Sequence, residues 1–253
     1  MIWDCILYNN EKECLQLRCE ELKSLEAIHV LVDSVYSFTG KKQKIPFSES
    51  DCEDFFCYNI FEYVVNDMPN NGNAWDNEKY QRNKILTALE DLGAQDDDIV
   101  IVSDADEIPL LEAVKSYKSE MGIACLLMNM CYYYFNCIHS YHSWRSPKIL
   151  TYKKLKLSTP NEIRNGGQQT EITNGGWHFS WLGNEINAMN KIKSFSHQEY
   201  NNNQMSEEFM KEKIKNIEHF GNNNKLSIVD IDETFPSFLF NNKEKFKHII
   251  KWQ

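Results

Sequence analysis

The chain has 253 residues, 42% hydrophobic and 13% aromatic, which is ample for one large α/β domain or one domain with a smaller appendage. A net charge of -10 and an isoelectric point near 5.2 argue against nucleic-acid binding, which needs a broad cationic face to displace counterions. A small phosphate-bearing ligand stays compatible with that charge, since one metal and a few local Lys or Arg residues suffice to hold it.

No apolar run reaches about 18 residues, so no membrane span is expected. The opening MIWDCILYNNEKE lacks a basic n-region and a small-residue cleavage site, and reads as a strand, not a signal peptide. The cysteines at 5, 14, 19, 52, 57, 125, 131 and 137 form no C-x-x-C pair and read as reduced, buried hydrophobes. No asparagine begins an N-x-Ser/Thr acceptor, which fits a cytoplasmic chain.

Trp3 to Tyr8 is the first expected strand. Glu11 to Leu25 follows as a helix with Leu15, Leu22 and Leu25 on one side. Ala27 to Val32 is a second buried strand ending in Asp33, and the loop after it carries Thr39-Gly40-Lys41-Lys42. Phe55 to Val65 is β-like. Asp76 is the expected cap of a helix running to about Leu92, with Gly93 just past its end. Ile99 to Ser103 is a strand, Pro109 opens a helix to about Glu120, and Gly122 to Phe135 is a long core strand or a pair of strands. The alternation predicts a mostly parallel sheet with helices on both faces, whose ligands bind at the carboxyl ends of the strands, where Asp33 and Asp104 lie. The second half is less regular. A basic strand lies within SWRSPKILTYKKLK, and NEIRNGGQQTEITNGGWHFSWLGN reads as a glycine- and asparagine-rich loop region. Helices are expected over Glu185 to Phe195 and Ser206 to Phe220.

The most loaded run is IVIVSDADEIP, residues 99–109. Carboxylates at i and i+2 just after a buried strand, here Asp104 and Asp106, suit a hard divalent cation such as manganese or magnesium with its bound oxygens. A phosphatase of the haloacid dehalogenase type also ends a strand in D-x-D. Its motif usually starts the chain and is followed by x-Thr or x-Val, whereas Glu107-Ile108-Pro109 follows here. A second such motif, Asp230-Ile231-Asp232, lies too near the C-terminus to organise a domain. Gln81-Arg82-Asn83, on the helix before the strand, offers a positive charge for a diphosphate and an amide for a base or sugar. In GGWHFSW, His178 can complete a metal shell, the glycines allow close backbone approach to a ligand, and Trp177 and Trp181, with Trp144, offer platforms for sugar faces. Glu185 is the expected general base, with Glu107 and Glu171 behind it.

Taken together, DCILYNNEKECLQLRCEEL, VLVDSVYSFTGKKQ, EKYQRNKI, IVIVSDADEIP, GGWHFSWLGNEI and KIKSFSHQEY resemble glycosyltransferase family 17, the group typified by β-1,4-mannosyl-glycoprotein 4-β-N-acetylglucosaminyltransferase. The resemblance extends over nearly the whole chain, arguably to FPSFLFNNKEKF. It implies a single GT-A-like domain, with residues 1–135 binding a nucleotide sugar and 136–253 facing the acceptor. It also implies a UDP-N-acetylglucosamine donor, a divalent metal, a glycan acceptor and inversion at the anomeric carbon. On this basis Asp106 is the direct metal ligand, with Asp104 nearer the ribose and the metal's waters, and His178 the third member. Asp33, Thr39, Lys41, Gln81, Arg82 and Asn83 join Asp104 on the donor side. The eukaryotic members' membrane anchor and luminal stem are missing from this pattern, so their Golgi location and N-glycan acceptor are not carried over. Two rivals stay open: a nucleotidyltransferase, disfavoured by Tyr8-Asn9-Asn10-Glu11 where a basic Gly-rich loop would stand, and a non-catalytic sugar-binding module.

Overall fold

A computed structural model describes residues 1–41, 46–49, 53–167, 169–222 and 224–252. Lys42 and Cys52 therefore lie outside the described residues. The first half forms β1 (Ile2–Leu7), α1 (Lys12–Leu22), β2 (Ile28–Ser34), β3 (Ile60–Val65), α2 (Ala74–Asp91) and β4 (Ile99–Asp104). These four strands are all parallel in the order β3-β2-β1-β4, with Trp3 opposite Ile28 and Ile2 opposite Ile99. The apolar side chains of β1, β2 and β4 are mostly buried, as continuous runs in a sheet covered on both faces should be, while the edge strand β3 is half-buried up to Val65.

One charge interrupts β1. Asp4 is fully buried, paired with Arg18 of α1 and with His29 of β2 at 2.7 Å. The same guanidinium donates to the main-chain carbonyls of Asp104, at 3.2 Å, and Glu107. A buried carboxylate needs such partners to stay ionised. Burial works to raise the Asp4 pKa, but Arg18 and His29 outweigh it and hold the carboxyl well below the usual range. This ionic post under the sheet therefore also props up the turn that follows β4.

Several boundaries differ from the sequence expectation for local reasons. Only residues 60–65 of the expected strand after Phe55 pair with β2; Glu53–Phe55 is a 3-10 turn that packs Phe55 against Phe47 in a small aromatic cluster with Tyr8. The cap of α2 is Asn73, whose side chain accepts from the Trp75 N–H, and not Asp76. The turn over 70–72 delivers Asn73 in an extended conformation, and Asp76 then falls in the first helical turn, where its charge still suits the helix dipole. Gly93 ends the helix region at φ +74 as expected.

The larger departure concerns Pro109. Instead of opening a helix it ends β5 (Glu107–Pro109), and α3 (Leu111–Ser116) is short. Beyond these come β6 (Ala124–Tyr132), β7 (Cys137–Trp144), β8 (Lys148–Thr151), α4 (Tyr152–Leu155) and α5 (Pro160–Asn165). The stretch read as a glycine-rich loop is mostly an eleven-residue strand, β9 (Thr170–Ser180), parallel to β6 and antiparallel to β5. Its glycines serve the sheet itself. A Cβ on Gly175 would lie 2.5 Å from the Leu127 nitrogen, and one on Gly176, at φ +147, would lie 2.1 Å from the Ile108 oxygen. They permit backbone to meet backbone, not backbone to meet ligand.

The chain closes with α6 (Glu185–Ser194), α7 (Glu207–Asn216), β10 (Ser227–Ile228) and α8 (Ser237–Asn241). The full sheet path is β10-β7-β6-β8-β4-β1-β2-β3, with β9 and β5 branching from β6. Strands β1 to β4, β6, β9 and β10 run in one direction, so the sheet is mostly parallel, and helices flank it, as expected of an α/β fold of the GT-A-like kind. The described cysteines are all free, and all but Cys57 are buried. Among the described residues no helix is long and apolar enough to cross a membrane.

Candidate active site

The carboxyl ends of β1, β2 and β4 open together into a cavity of about 490 Å3, at Leu7, Ser34 and Asp104. Asp104 is the last residue of β4 and Glu107 the first of β5, so Asp106 sits in the tight turn between them. The β5–β9 ladder sets Glu107 opposite His178, and the Phe179 N–H donates to the Asp106 carbonyl at 2.8 Å. The two segments that the motifs marked are thus bonded to each other by main chain.

Asp104 is bound on both oxygens. Oδ1 accepts from Arg82 at 2.6 Å and Oδ2 from Arg164 at 2.6 Å. Arg164 also forks onto Glu107, at 2.8 and 2.6 Å, and Arg82 is paired with Glu78, which accepts from the Ser196 hydroxyl. Glu107 has no exposed surface and accepts in addition from the Asp104 N–H at 2.7 Å and the Trp144 indole N–H. Fork-on-fork pairing of this kind is both strong and directional. Burial raises the Asp104 pKa, yet Arg164 and then Arg82 bring it below the usual value; Arg164 is pushed up by Asp104 and Glu107 against its own burial.

Asp106 is held differently. Oδ1 faces His178 Nε2 at 3.3 Å, and Oδ2 accepts from Lys191 of α6 at 2.9 Å. Burial again works to raise the pKa, and Lys191, followed by His178, overrides it, so Asp106 stays ionised far below the usual carboxylate range. A carboxylate oxygen and an imidazole nitrogen at this separation match adjacent donors of a hard cation, which lie roughly 3 Å apart when each is about 2.1 Å from the ion. His178 Nδ1 is buried and finds no hydrogen-bond partner among the described residues, so none of them commits the ring to another role. Among the described residues no three His, Cys, Asp or Glu side chains converge into a cage. The two donors therefore fit a cation that takes the rest of its shell from water and ligand oxygens.

The other sequence-marked residues separate into two groups. Gln81, Arg82, Asp104, Asp106, Trp144, His178 and Trp181 line the cavity. Gln81 is fixed there by donating to the Val32 carbonyl at 2.8 Å. Trp181 leaves the strand's two-residue alternation at φ +58, which brings it to the cavity side. Trp177 obeys the alternation and points the other way, stacked on Phe235 at 3.9 Å in the core.

Asp33, Thr39, Lys41 and Asn83 lie outside the lining. The Asp33 carboxylate is buried and accepts from the Ser34 and Phe47 N–H groups, at 2.6 and 3.1 Å. Thr39 donates to the Lys193 carbonyl at 3.2 Å, Lys41 is exposed, and Asn83 accepts from the Asn161 N–H at 3.1 Å, tying α2 to α5. Glu185 begins α6 outside the lining, and Glu171 is exposed and paired with Arg145.

Arg164 and Lys191 escaped the sequence reading, although they supply the site with two of its three cations. Arg164 sits in an unremarkable helix, and nothing local marks it. Lys191 and the aromatic wall of Phe195, His197 and Tyr200 do fall within KIKSFSHQEY, a segment that the resemblance had marked without assigning roles.

A mostly parallel α/β sheet with a D-x-D pair at a strand's carboxyl end, under a cavity walled by tryptophan and floored by cations, defines a GT-A-like glycosyltransferase. Residues 1–224 match the family model for glycosyltransferase family 17, and the chain belongs to that family. As a glycosyltransferase it takes a sugar donor and a glycan acceptor. A comparison with curated proteins finds no match.

Proposed function

We propose that the protein transfers N-acetylglucosamine from UDP-N-acetylglucosamine to a glycan hydroxyl, with inversion, in a metal-dependent reaction. The observation that carries this reading is the facing pair Asp106 and His178 beside three cations, Arg82, Arg164 and Lys191, in one cavity. The displacement breaks the bond from the anomeric carbon to the diphosphate oxygen and forms one to the acceptor oxygen. Both electrons of the broken bond leave with the diphosphate. Stabilising that charge is the main electrostatic task, and guanidiniums fixed in an enclosed site, here Arg82 and Arg164, do it without reorganising. Manganese or magnesium held by Asp106 and His178 would add Lewis-acid neutralisation of the same diphosphate. Gln81 and Arg82 hold the nucleotide side, and Trp144 and Trp181 offer platforms to the sugars.

The acceptor's proton needs a base within hydrogen-bond reach. Glu11 lines the cavity beside Lys191, whereas Glu185 does not, so we assign the proton to Glu11. The phosphohydrolase alternative needs one free oxygen on the first aspartate as nucleophile. Both Asp104 oxygens are taken by guanidiniums, which argues for transfer instead.

The test is release of nucleoside diphosphate from a panel of sugar nucleotides, with and without Mn2+. UDP-N-acetylglucosamine should be the preferred donor, and Asp106→Asn should lower turnover by about a hundredfold or more while the protein stays folded. Absence of metal-stimulated release from every sugar nucleotide would refute the proposal.

A further inference from the structure

The two D-x-D carboxylates are neutralised by different kinds of cation. The guanidiniums on Asp104 are each anchored at a second carboxylate, Arg82 at Glu78 and Arg164 at Glu107. Neither can leave without stranding that second charge. Lys191 has no such anchor: among the described residues its one ion-pair partner is Asp106, at 2.9 Å.

Lys191 is also placed to move. It lies in the last turn of α6, its side chain is 31% exposed against 10% for Asp106, and its ammonium stands 6.0 Å from the centre of the Trp181 ring. It lines the 490 Å3 cavity and also a second one, of about 640 Å3, that meets the first along Glu11, Asp106 and Lys191. An ammonium on a flexible four-carbon stem can turn from one oxygen to another. A guanidinium fork would grip the carboxylate on two atoms, as Arg164 grips Glu107.

A carboxylate as enclosed as Asp106 keeps its charge only with a cation beside it. Its Oδ1 already faces His178, in the geometry of a shared cation, while Oδ2 holds the ammonium. We propose that Lys191 is an exchangeable counter-ion, which neutralises Asp106 in the empty site, yields it to an arriving divalent cation, and then pairs with the donor's diphosphate. The proposal rests on the reading of the cavity as a sugar-nucleotide site. No covalent bond changes in this exchange; one ion pair is replaced by two.

Two consequences of opposite sign follow from the exchange. Without nucleotide, the ammonium competes with the divalent cation, so the cation alone binds weakly. With nucleotide, the displaced ammonium gains an anionic partner, so cation and diphosphate strengthen each other's binding. Removing the ammonium should therefore tighten one ligand and loosen the other.

The experiment uses the full chain and two probes, Mn2+ alone, followed by electron paramagnetic resonance of the free ion, and UDP with saturating Mn2+, followed by calorimetry. Lys191→Met should bind Mn2+ alone about tenfold more tightly and UDP about tenfold more weakly than the parent. Lys191→Arg, which keeps the charge but grips the carboxylate on two atoms, should leave Mn2+ alone weak and recover UDP binding only in part. Thermal unfolding of both variants checks that the fold is kept. If Lys191→Met weakens both probes, or changes neither, the exchange is refuted. If the parent binds Mn2+ but no UDP, the donor-site reading fails, and the Mn2+ comparison between parent and Lys191→Met still decides the counter-ion role.

Discussion

Replacing Glu107 by glutamine changes one oxygen to an amide nitrogen in a side chain with no exposed surface. As glutamate, one oxygen accepts from Trp144 and from Arg164 at 2.6 Å, and the other from Arg164 at 2.8 Å and the Asp104 N–H at 2.7 Å. Whichever way the amide turns, its NH2 group meets two donors. Two hydrogen bonds to a charged acceptor are lost, each contributing about 1.5–3 kcal/mol. Arg164 keeps its 2.6 Å bond to Asp104, which offsets part of the loss. The net expectation is a destabilisation of about 3 kcal/mol. For a chain of this length each kcal/mol moves the thermal midpoint by about 2 °C, so the midpoint should fall by about 6 °C. Circular dichroism during heating and urea titration at pH 7 measures both quantities. A variant that melts with the parent yet loses turnover a hundredfold would mark Glu107 as a proton acceptor and overturn its role as the strut between Arg164, Trp144 and the β4–β5 turn.

Three other expectations bear on the fold around the site. Gly176→Ala should cost about 3 kcal/mol or more and loosen the β5–β9 pairing that brings His178 to Asp106, because the new Cβ lies 2.1 Å from the Ile108 oxygen; wild-type-like urea unfolding would contradict this. Trp177→Ala should cost about 3–5 kcal/mol as a core truncation without raising the acceptor KM, whereas a stable variant with a raised KM would return Trp177 to the acceptor groove. His219 is pushed down from 6.5 to about 4, by burial first and by His139 next. Its folded-state pKa lies below the unfolded one, so the unfolded chain binds more protons between these values and stability falls as pH drops from about 6.5 to about 4. The ring is only half-buried, so solvent screening trims the effect to about 1–2 kcal/mol. His219→Gln should flatten that part of the stability profile, and an unchanged difference between parent and variant across it would refute the assignment.

How much of the fold could be read in advance depended on the range of the forces involved. The apolar runs of β1, β2 and β4 are local patterns that only a buried strand satisfies, and each of those strands formed where the pattern placed it. The Gly-Asn stretch misled because glycine signals close approach without saying to what. Composition suggests a loop around a ligand, while the partners that require glycine, Leu127 and Ile108, lie more than forty residues away in sequence. Pro109 misled for a related reason: it suits a helix start as well as a strand end, and only the pairing with Gly176 decides between them.

At the site, the acids and their place at the end of β4 follow from local pattern alone. A buried strand that ends in Asp-Ala-Asp must present carboxylates at the sheet's ligand-binding edge, and the order of motifs was enough to mark the family. What each carboxylate does depends on long-range contacts, because the function of a buried charge is set by its counter-ion. Arg164 and Lys191 reach Asp104 and Asp106 from 60 and 85 residues away, and no periodicity or spacing encodes such contacts. The fold locks Asp104 and Glu107 into a fixed ionic frame and leaves Asp106, facing a histidine and a tethered lysine, as the acid able to exchange partners.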